Sequence, residues 1–403
     1  MTSDGQHIDL GAPPPIPAEA QAAVAELLVR GRLHRYGESG APPGAAARLE
    51  RAFARLIGVP YAVAVNSCGS AMYLALLGAG VKPGDPVLMG AFTLAPVLGA
   101  IANAGARPVA VEITADLVID PADLEEKAAA TGARHLLVSH MRGHVGDLDR
   151  LAAICDRLGI SMIEDCAHTM GASWAGRPTG SFGRVGCFSF QQAKHVNAGE
   201  GGILVTRDPD IAARAILMSG SYMLYAQNGT CPPDAVMERW RDRCPNFSLR
   251  LSEIAATLAL AQLDALPDRA RDWNATHDAL AARLGAVPGL HLPQRPPQEE
   301  YVQSSLQFRL PEFSRDRIRR FVADCRAQGL HVKWFGADRA EGYTSAPRHW
   351  GDLPGHPVAP ATQAILDTLV DIRLPLGLND NARDRIAAIV AAAVQAAPDP
   401  VST

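Results

Sequence analysis

Between residues 47 and 165 the chain alternates segments of helical spacing with short, continuously apolar segments. The pattern predicts strands at 61–65, 86–89, 107–111, 135–139 and 161–164, and helices at 47–57, 70–79, 93–104, 121–130 and 148–158. Short apolar strands that alternate with helices are typical of a parallel sheet with helices on both faces. We therefore predict an α/β fold with a mostly parallel central sheet.

Polar residues directly follow three of these predicted strands, at 66–70, 140–142 and 165–168. In open α/β sheets, ligands bind beyond the carboxyl ends of the strands. Because the carboxyl ends of parallel strands meet at one edge, we expect these three groups to converge there and to form a site.

A chain of 403 residues exceeds what one small core needs, and we predict a large domain followed by a smaller one. Residues 1–45, rich in Pro and Gly, predict an arm on the surface or on a partner subunit. Residues 46–266 form the predicted large domain, which ends with a helix at 251–266. Residues 267–403 predict a smaller α+β domain, with strands at 304–309 and 332–335 and helices at 315–328, 360–370 and 381–397.

Composition argues against several classes of partner. The net charge is −4 and no basic block stands out, which gives little support to a nucleic-acid or anionic-membrane partner. No apolar run reaches membrane-spanning length, and the N-terminus lacks the apolar core of a signal peptide. The seven cysteines show no zinc-binding spacing, so we predict free thiols, no metal site and a cytoplasmic protein.

The segment 161–202 carries the clearest chemical signal. Its predicted strand ends in a carboxylate, Asp165, and the later loop carries Lys194 ahead of a Gly-Glu-Gly-Gly stretch. An enzyme that uses pyridoxal 5'-phosphate (PLP) needs both groups, since the lysine forms a Schiff base with the aldehyde and the carboxylate pairs with the pyridinium nitrogen. We therefore predict that Lys194 and Asp165 are catalytic and that PLP is the cofactor.

These stretches also carry a family resemblance. EDCAHTMG at 164–171 and SFQQAKHVNAGEGG at 189–202 resemble the patterns EDxAxxxG and SFxxxKxxxxGEGG of the DegT/StrS-type sugar aminotransferases. Further similar stretches lie at 65–71, 82–87 and 255–263, in the same order along the chain. The resemblance implies fold type I of the PLP-dependent enzymes.

The resemblance also implies roles for individual residues. Lys194 would carry protons as well as the Schiff base, and His168 would contact the 3'-oxygen of the cofactor. Cys68, Gly69 and Ser70, with Ser189, would bind the phosphate at the start of a helix. Two of these residues have a structural alternative, in which His168 or Ser189 is bonded to backbone.

The sequence departs from the family pattern at several places. Leu94 stands where the family has an aromatic residue that stacks on the pyridine ring, so either Leu94 covers the ring or Phe92 does. Asn246 and Ser248 both stand near the position of an asparagine that reaches the phosphate of the partner subunit, and we predict that one of them crosses the interface.

Substrate contacts are predicted at four basic residues. His140 and Arg142 replace part of a typical HLYG stretch and suggest an anionic or unusual substrate, with an ion-paired loop as the alternative. Lys333 and Arg373 loosely resemble substrate-facing positions, and Arg373 would bind the carboxylate of the amino donor. Strand and turn packing explains these last two equally well.

Together these features predict a homodimeric PLP-dependent aminotransferase. Glutamate or glutamine would be the amino donor, and a keto-sugar, nucleotide-sugar or cyclitol ketone the carbonyl acceptor. Relatives that act as dehydratases replace the lysine with histidine, whereas this chain has Lys194. A lyase that uses the same lysine stays an alternative. A non-catalytic protein on this scaffold would be expected to lack Lys194 or Asp165.

Overall fold

The computed structural model describes residues 9–37, 42–350 and 358–396. Its strands, in chain order, are β1 Tyr61–Val65, β2 Pro86–Gly90, β3 Arg107–Val111, β4 His135–Ser139, β5 Ser161–Asp165, β6 Ser173–Trp174, β7 Arg177–Pro178, β8 Val185–Ser189, β9 Gly202–Thr206, β10 Glu299–Glu300, β11 Ser305–Arg309, β12 Lys333–Trp334 and β13 Leu369–Arg373. Its α-helices are α1 Ala18–Arg30, α2 Ala45–Ile57, α3 Cys68–Gly78, α4 Ala95–Asn103, α5 Pro121–Thr131, α6 Leu148–Leu158, α7 Pro209–Ser219, α8 Asp234–Trp240, α9 Glu253–Leu260, α10 Leu266–Leu284, α11 Arg315–Ala327, α12 Pro360–Leu366 and α13 Asp380–Ala396.

A seven-stranded sheet forms the centre of the molecule, in the order β1-β9-β8-β5-β4-β2-β3. Neighbours from β8 to β3 pair in parallel, whereas β9 runs antiparallel to both β1 and β8. The prediction of an α/β fold with a mostly parallel sheet is therefore confirmed.

Helices cover both faces of this sheet because successive side chains of a strand point to opposite sides. Met89, Leu137 and Ile163 pack in one cluster with residues of α3, α4 and α7. Leu136 and Met162, one residue earlier in their strands, pack in another cluster with residues of α5 and α6. The alternation fixes the side of the sheet on which each polar side chain at the strand ends can lie.

A second sheet, β11-β13-β12, is antiparallel and packs with α10, α11 and α13 around its own apolar cluster. A small three-stranded sheet joins β10 to the hairpin of β6 and β7. The division into an arm at 1–45, a large domain at 46–266 and a small domain at 267–403 stays a prediction.

Three predicted elements differ from the structure. The predicted helix at 251–266 is wrong, because α9 ends at Leu260 and α10 begins at Leu266 with Pro267 in its first turn, a position that favours a new helix start. The predicted helix at 360–370 ends at Leu366, since β13 begins three residues later. The arm contains α1, which composition did not indicate. Residue 397 of the predicted last helix lies outside the described residues.

Within the described ranges, no helix combines the length and the apolar character needed to cross a bilayer. All seven cysteines are free thiols, as predicted.

Candidate active site

Asp165 is the last residue of β5, where it lies beside Ser139 of β4 and Cys187 of β8. Its side chain is buried, and the Ser139 hydroxyl donates to Oδ2 at 2.6 Å while the Ala167 amide donates to Oδ1 at 3.1 Å. The Cys68 thiol lies 3.9 Å from Oδ1. Burial raises the pKa of this thiol well above its usual value, so it stays protonated and able to donate. Three donors thus surround one carboxylate at the strand end.

Lys194 lies on the loop after β8, and its Nζ is 2.9 Å from Nε2 of His168. Burial, together with the charge of Arg142, lowers the pKa of Lys194 to about 7. Burial also lowers the pKa of His168 well below its usual value, and the charge of Lys194 adds to this shift. A neutral imidazole therefore faces an amine that can lose its proton near neutral pH, as a nucleophilic lysine requires.

The N-terminus of α3 lies next to this site. Ser67 caps the helix, with its Oγ accepting from the Ser70 amide at 3.0 Å, and the Ser70 hydroxyl donates to Asn66 Oδ1 at 2.7 Å. Gly202 pairs with Ser189 across β8 and β9, and a Cβ atom on Gly202 would lie 2.5 Å from the Cys68 nitrogen. Only glycine lets the strand approach this helix end so closely, at a position where anions are favoured.

Three cationic side chains, Arg142, Lys333 and Arg373, lie around Asp371 of β13, and two of them, Arg142 and Arg373, are close enough to Lys194 to lower its pKa. Arg142 pairs with Asp371 of β13 at 2.8 Å, and Arg373 donates to the carbonyl oxygen of Ala193 at 2.8 Å. Burial, reinforced by Arg142, lowers the pKa of Arg373 and brings that of Lys333 to about 8. The structure brings these predicted substrate residues together, and their roles stay predictions.

His140 departs from expectation. Its Nε2 lies 3.2 Å from Oε2 of Glu164, which points to the face of β5 opposite Asp165. The oxygens of Glu164 also accept from the amides of Gly180, Phe182 and Gly183. The placement of His140 among the substrate contacts is therefore corrected, because its ring is held on the supporting side of the sheet.

The sulfur of Cys166 lies within 4.8 Å of the ligand atoms of His140 and Glu164, a grouping that could in principle hold a metal ion. Burial raises the pKa of the Cys166 thiol well above its usual value, so the thiolate that metals prefer is disfavoured. Since the Glu164 oxygens already accept four hydrogen bonds, we interpret this group as structural.

Two further expectations concern aromatic stacking and the interface. Phe92 is buried edge-on against Phe335, with ring centroids 5.0 Å apart, whereas Leu94 is half-buried just ahead of α4. This packing favours Leu94 over Phe92 as the residue that covers the cofactor ring. Asn246 and Ser248 are exposed and linked, since the Ser248 amide donates to Asn246 Oδ1 at 2.9 Å.

Sequence reasoning missed three residues of this region. Ser139 was the polar end of an apolar strand, and its pairing with Asp165 needs the register of β4 and β5. Asp371 is the charged residue within an otherwise apolar strand segment, a signal that was available. Tyr343 lies in an irregular stretch with no pattern, yet its ring lies 3.5 Å from Lys333 Nζ.

The profile of the DegT/DnrJ/EryC1/StrS aminotransferase family matches residues 15–389. The chain belongs to this family. It is 33% identical over 294 residues to dTDP-3-amino-3,4,6-trideoxy-alpha-D-glucose transaminase of Streptomyces venezuelae, a match that covers 71% of this chain and 70% of that one. It is 31% identical over 254 residues to the spore coat polysaccharide biosynthesis protein SpsC of Bacillus subtilis, covering 61% and 63%.

Solved structures of similar fold agree with this assignment. AtS13 from Actinomadura melliaura matches with a TM-score of 0.80 at 27% identity, covering 96% of this chain and 99% of that one. DesV of S. venezuelae, solved with a ketimine intermediate, matches with a TM-score of 0.77 at 26% identity, covering 96% and 100%. The 3-amino-5-hydroxybenzoic acid synthase matches with a TM-score of 0.80 at 26% identity, covering 97% and 100%. The family prediction is confirmed, and the chain is an aminotransferase.

Proposed function

We propose that this aminotransferase uses PLP to move an amino group from glutamate or glutamine to a keto-sugar, nucleotide-sugar or cyclitol-type carbonyl. One observation carries the proposal. A buried lysine amine with a pKa of about 7 lies beside a neutral histidine, at the strand edge that also presents Asp165. The named activities of the relatives in sugar biosynthesis support the acceptor class.

The amine, the carboxylate, the imidazole and the helix N-terminus of the site fit the functional groups of PLP. In this proposal Lys194 holds the cofactor covalently, Asp165 faces its ring nitrogen and His168 faces its 3'-oxygen. The phosphate takes the N-terminus of α3, at Cys68 to Ser70, together with Ser189. The close approach allowed by Gly202 keeps the backbone of this helix end beside β9. When bound, the cofactor withdraws electrons from the substrate carbon.

The protein supplies proton transfer and orientation. With its pKa of about 7, Lys194 Nζ releases and takes up a proton at neutral pH, as a general acid and base must. The uncharged ring of His168, 2.9 Å away, orients the amine without holding a competing charge. The hydroxyl of Ser139 and the amide of Ala167 fix the orientation of the Asp165 carboxylate. The three groups are thus held in place before substrate binds.

Borohydride trapping tests the cofactor assignment. Protein incubated with PLP and then reduced should carry the label on Lys194, found by peptide mass analysis. Lys194→Ala should lose the label while remaining folded, as a cooperative thermal unfolding transition would show. Lys333→Ala is the matched control, because Lys333 is the other lysine with a strongly lowered pKa. A label on Lys333 in the wild-type protein would overturn the assignment.

Product analysis separates transamination from its rivals. A transaminase returns one keto acid for each amino group moved, whereas a lyase releases ammonia or carbon dioxide and a dehydratase releases water. His195, the neighbour of Lys194, lies edge-on against Trp273 with centroids 5.0 Å apart. This packing favours Lys194 over His195 as the reacting side chain. Stoichiometric keto acid without ammonia would support the proposal, and ammonia release would reject it.

We also propose that the enzyme is a cytoplasmic homodimer in which Asn246 or Ser248 completes the site of the partner. Both are exposed, and the Asn66 amide donates to the Leu249 carbonyl at 2.9 Å, which ties this stretch to the loop before α3. Mixing inactive Lys194→Ala protomers with inactive Asn246→Ala/Ser248→Ala protomers should restore roughly a quarter of wild-type activity, since about half the dimers are mixed and each has one intact site. Proven subunit exchange without recovery would place the stretch in its own subunit's site.

A further inference from the structure

The cationic group beside Lys194 holds more positive than negative charge. Arg142 has one carboxylate partner, Asp371. Lys333 donates to the carbonyl oxygens of Glu341 and Tyr343, at 2.8 and 3.0 Å, and Arg373 to that of Ala193. Asp371 also attracts both of these cations, and the Glu341 carboxylate, which pairs with Arg326, attracts Lys333, so the three cations share mainly one carboxylate. Carbonyl oxygens accept hydrogen bonds but do not neutralise charge. Charge buried without a counter-ion is costly, so the group favours an anion from outside the chain.

Two buried donors in this group also lack an acceptor. Among the described residues, neither Nε of Arg142 nor the hydroxyl of Tyr343 has a hydrogen-bond partner. The two residues are in contact, with Arg142 Cζ 5.2 Å from the centroid of the Tyr343 ring, and Lys333 Nζ lies 3.5 Å from the same centroid. An oxygen of a bound ligand would satisfy both donors.

Arg142 is also held in an uncommon backbone conformation, with φ 58° and ψ 20°. The left-handed region is unfavourable for a non-glycine residue because its Cβ atom crowds the following carbonyl oxygen. The pair with Asp371 fixes the guanidinium between β13 and Lys194, and its charge contributes to the lowered pKa values of both Lys194 and Lys333. An anion bound here would relieve that repulsion.

We propose that Arg142, Tyr343, Lys333 and Arg373 bind a carboxylate carried by the carbonyl acceptor, so that the acceptor is an acidic sugar or ring. This inference rests on the proposed function and narrows its acceptor. Donor and acceptor occupy one site in turn. The carboxylate of the amino donor compensates the charge of the cationic group in the first half-reaction. A neutral acceptor would leave that charge uncompensated in the second half-reaction, whereas an acidic acceptor would compensate it there too.

A carboxylate fits this place better than the diphosphate of a nucleotide sugar. Arg142 is only 5% exposed, and the group lies close enough to Lys194 for Arg142 and Arg373 to lower its pKa. An anion that reaches Arg142 must therefore be compact and close to the reacting carbon. The planar fork of a guanidinium also matches the two oxygens of a carboxylate.

Calorimetry with an unreactive probe tests the binding site without turnover. Glutarate should bind the PLP-loaded protein at least about tenfold more tightly than its neutral analogue glutaramide, because only glutarate offers charge-assisted hydrogen bonds. Lys333→Met should weaken glutarate binding about tenfold and leave glutaramide unchanged. Arg142→Met combined with Asp371→Asn removes the buried ion pair without leaving an unpaired charge. This double variant should also bind glutarate more weakly. Lys82→Met, at an exposed turn lysine, is the control.

Matched acceptors then identify the source of the anion. A neutral keto-hexose, the corresponding keto-hexuronic acid and a nucleotide-diphosphate keto-hexose are compared by kcat/KM. We expect the uronic acid to exceed the other two by at least about tenfold, and Lys333→Met to remove that preference. Equal binding of glutarate and glutaramide would overturn the inference, as would the nucleotide sugar as best acceptor. If Lys194 trapping persists in either case, the carboxylate site fails while the proposed function stands.

Discussion

Two adjacent carboxylates on β5, Glu164 and Asp165, have opposite surroundings. The oxygens of Glu164 accept from three backbone amides and His140, and its side chain is fully buried. Asp165 accepts from one hydroxyl and one amide, with a weak thiol donor nearby. The strand alternation sends one side chain to each face of the sheet. Two carboxylates that are neighbours in the sequence are therefore held differently: Glu164 supports the fold on one face, and Asp165, which we propose as a reactive group, lies on the other.

Spare hydrogen-bonding capacity distinguishes Asp165, the carboxylate that we propose as functional, from Glu164. A carboxylate offers about four acceptor sites, and those of Glu164 are filled by the loop 180–183 and the ring of His140. On the side of Asp165, burial disfavours the charged forms of Lys194 and His168 and lowers the pKa of each. One face stabilises the fold, and the other holds groups that the fold alone would not favour.

The largest expected effect separates the two carboxylates by activity. Asp165→Asn should lower kcat/KM by about a thousandfold or more, on the order of 4 kcal/mol, because a neutral amide cannot keep the ring nitrogen of the cofactor protonated. Its unfolding free energy should stay within about 1 kcal/mol of wild type, since the asparagine oxygen can accept from the Ala167 amide while its NH2 group donates to the Ser139 hydroxyl. Activity within tenfold of wild type would remove Asp165 from the mechanism.

The converse effect should appear at Glu164. Glu164→Gln places an amide donor against backbone donors in a buried position, and we expect a loss of about 3 kcal/mol in unfolding free energy. Denaturant unfolding measures it, with Glu312→Gln at an exposed position as the matched control. Folded Glu164→Gln protein should keep most of its kcat. A stable but inactive Glu164→Gln protein would show that the two faces are not divided as described.

A smaller effect should sharpen the role of Ser139 as a positioning residue. Ser139→Ala removes a 2.6 Å hydrogen bond to a charged group and should lower kcat/KM about tenfold. Ser139→Thr keeps the hydroxyl and should restore most of the activity. In the Asp165→Asn background the same alanine change should have much less effect, because the two residues act together. Equal losses in both backgrounds would contradict this coupling.

The smallest effect concerns pH and the cofactor-free protein. The pKa of Lys194 falls from its ordinary 10.5 to about 7 on folding, so between these values the unfolded chain binds more protons and stability rises with pH. Lys194→Met should therefore raise the unfolding temperature more at pH 7 than at pH 10, by about 2 °C. Thermal unfolding at the two pH values measures the difference. An increase in unfolding temperature that is the same at both pH values would mean that Lys194 is not buried in its neutral form.

The central sheet was readable because its strands are short, apolar on both sides and separated by helices. The predicted bounds of β1, β3 and β4 agree with the structure, since local pattern decides them. The polar helix α10 was missed, although Pro267 in its first turn was an available signal. The sequence pattern does not predict β13, whose first two residues fall at the end of the predicted helix 360–370, because its partners, β11 and β12, lie far away along the chain.

The sequence predicted those residues of the site that lie in motifs close together along the chain. Lys194, Asp165 and His168 occupy neighbouring stretches, and the structure brings Lys194 and His168 within 2.9 Å. The orientation of the His140 side chain could not be predicted from the sequence, because it depends on the loop at 180–183, whose amides fix Glu164. The pair between Arg142 and Asp371 joins residues more than two hundred positions apart, and no local pattern encodes such a contact.

The antiparallel strand β9 determines when the central sheet can be completed while the chain is being synthesised. Among the described strands, β1 pairs with β9 alone, apart from one isolated bridge between Val65 and Arg250. About 140 residues separate β1 from β9, which a ribosome adds in roughly 7–30 s. During that time β1, which is the first strand of the sheet to be made and one of its edges, has no partner in that sheet. We therefore expect the apolar segment Tyr61–Val65 to stay unpaired on the nascent chain, and the site beside Gly202 to assemble only after Thr206 has left the exit tunnel.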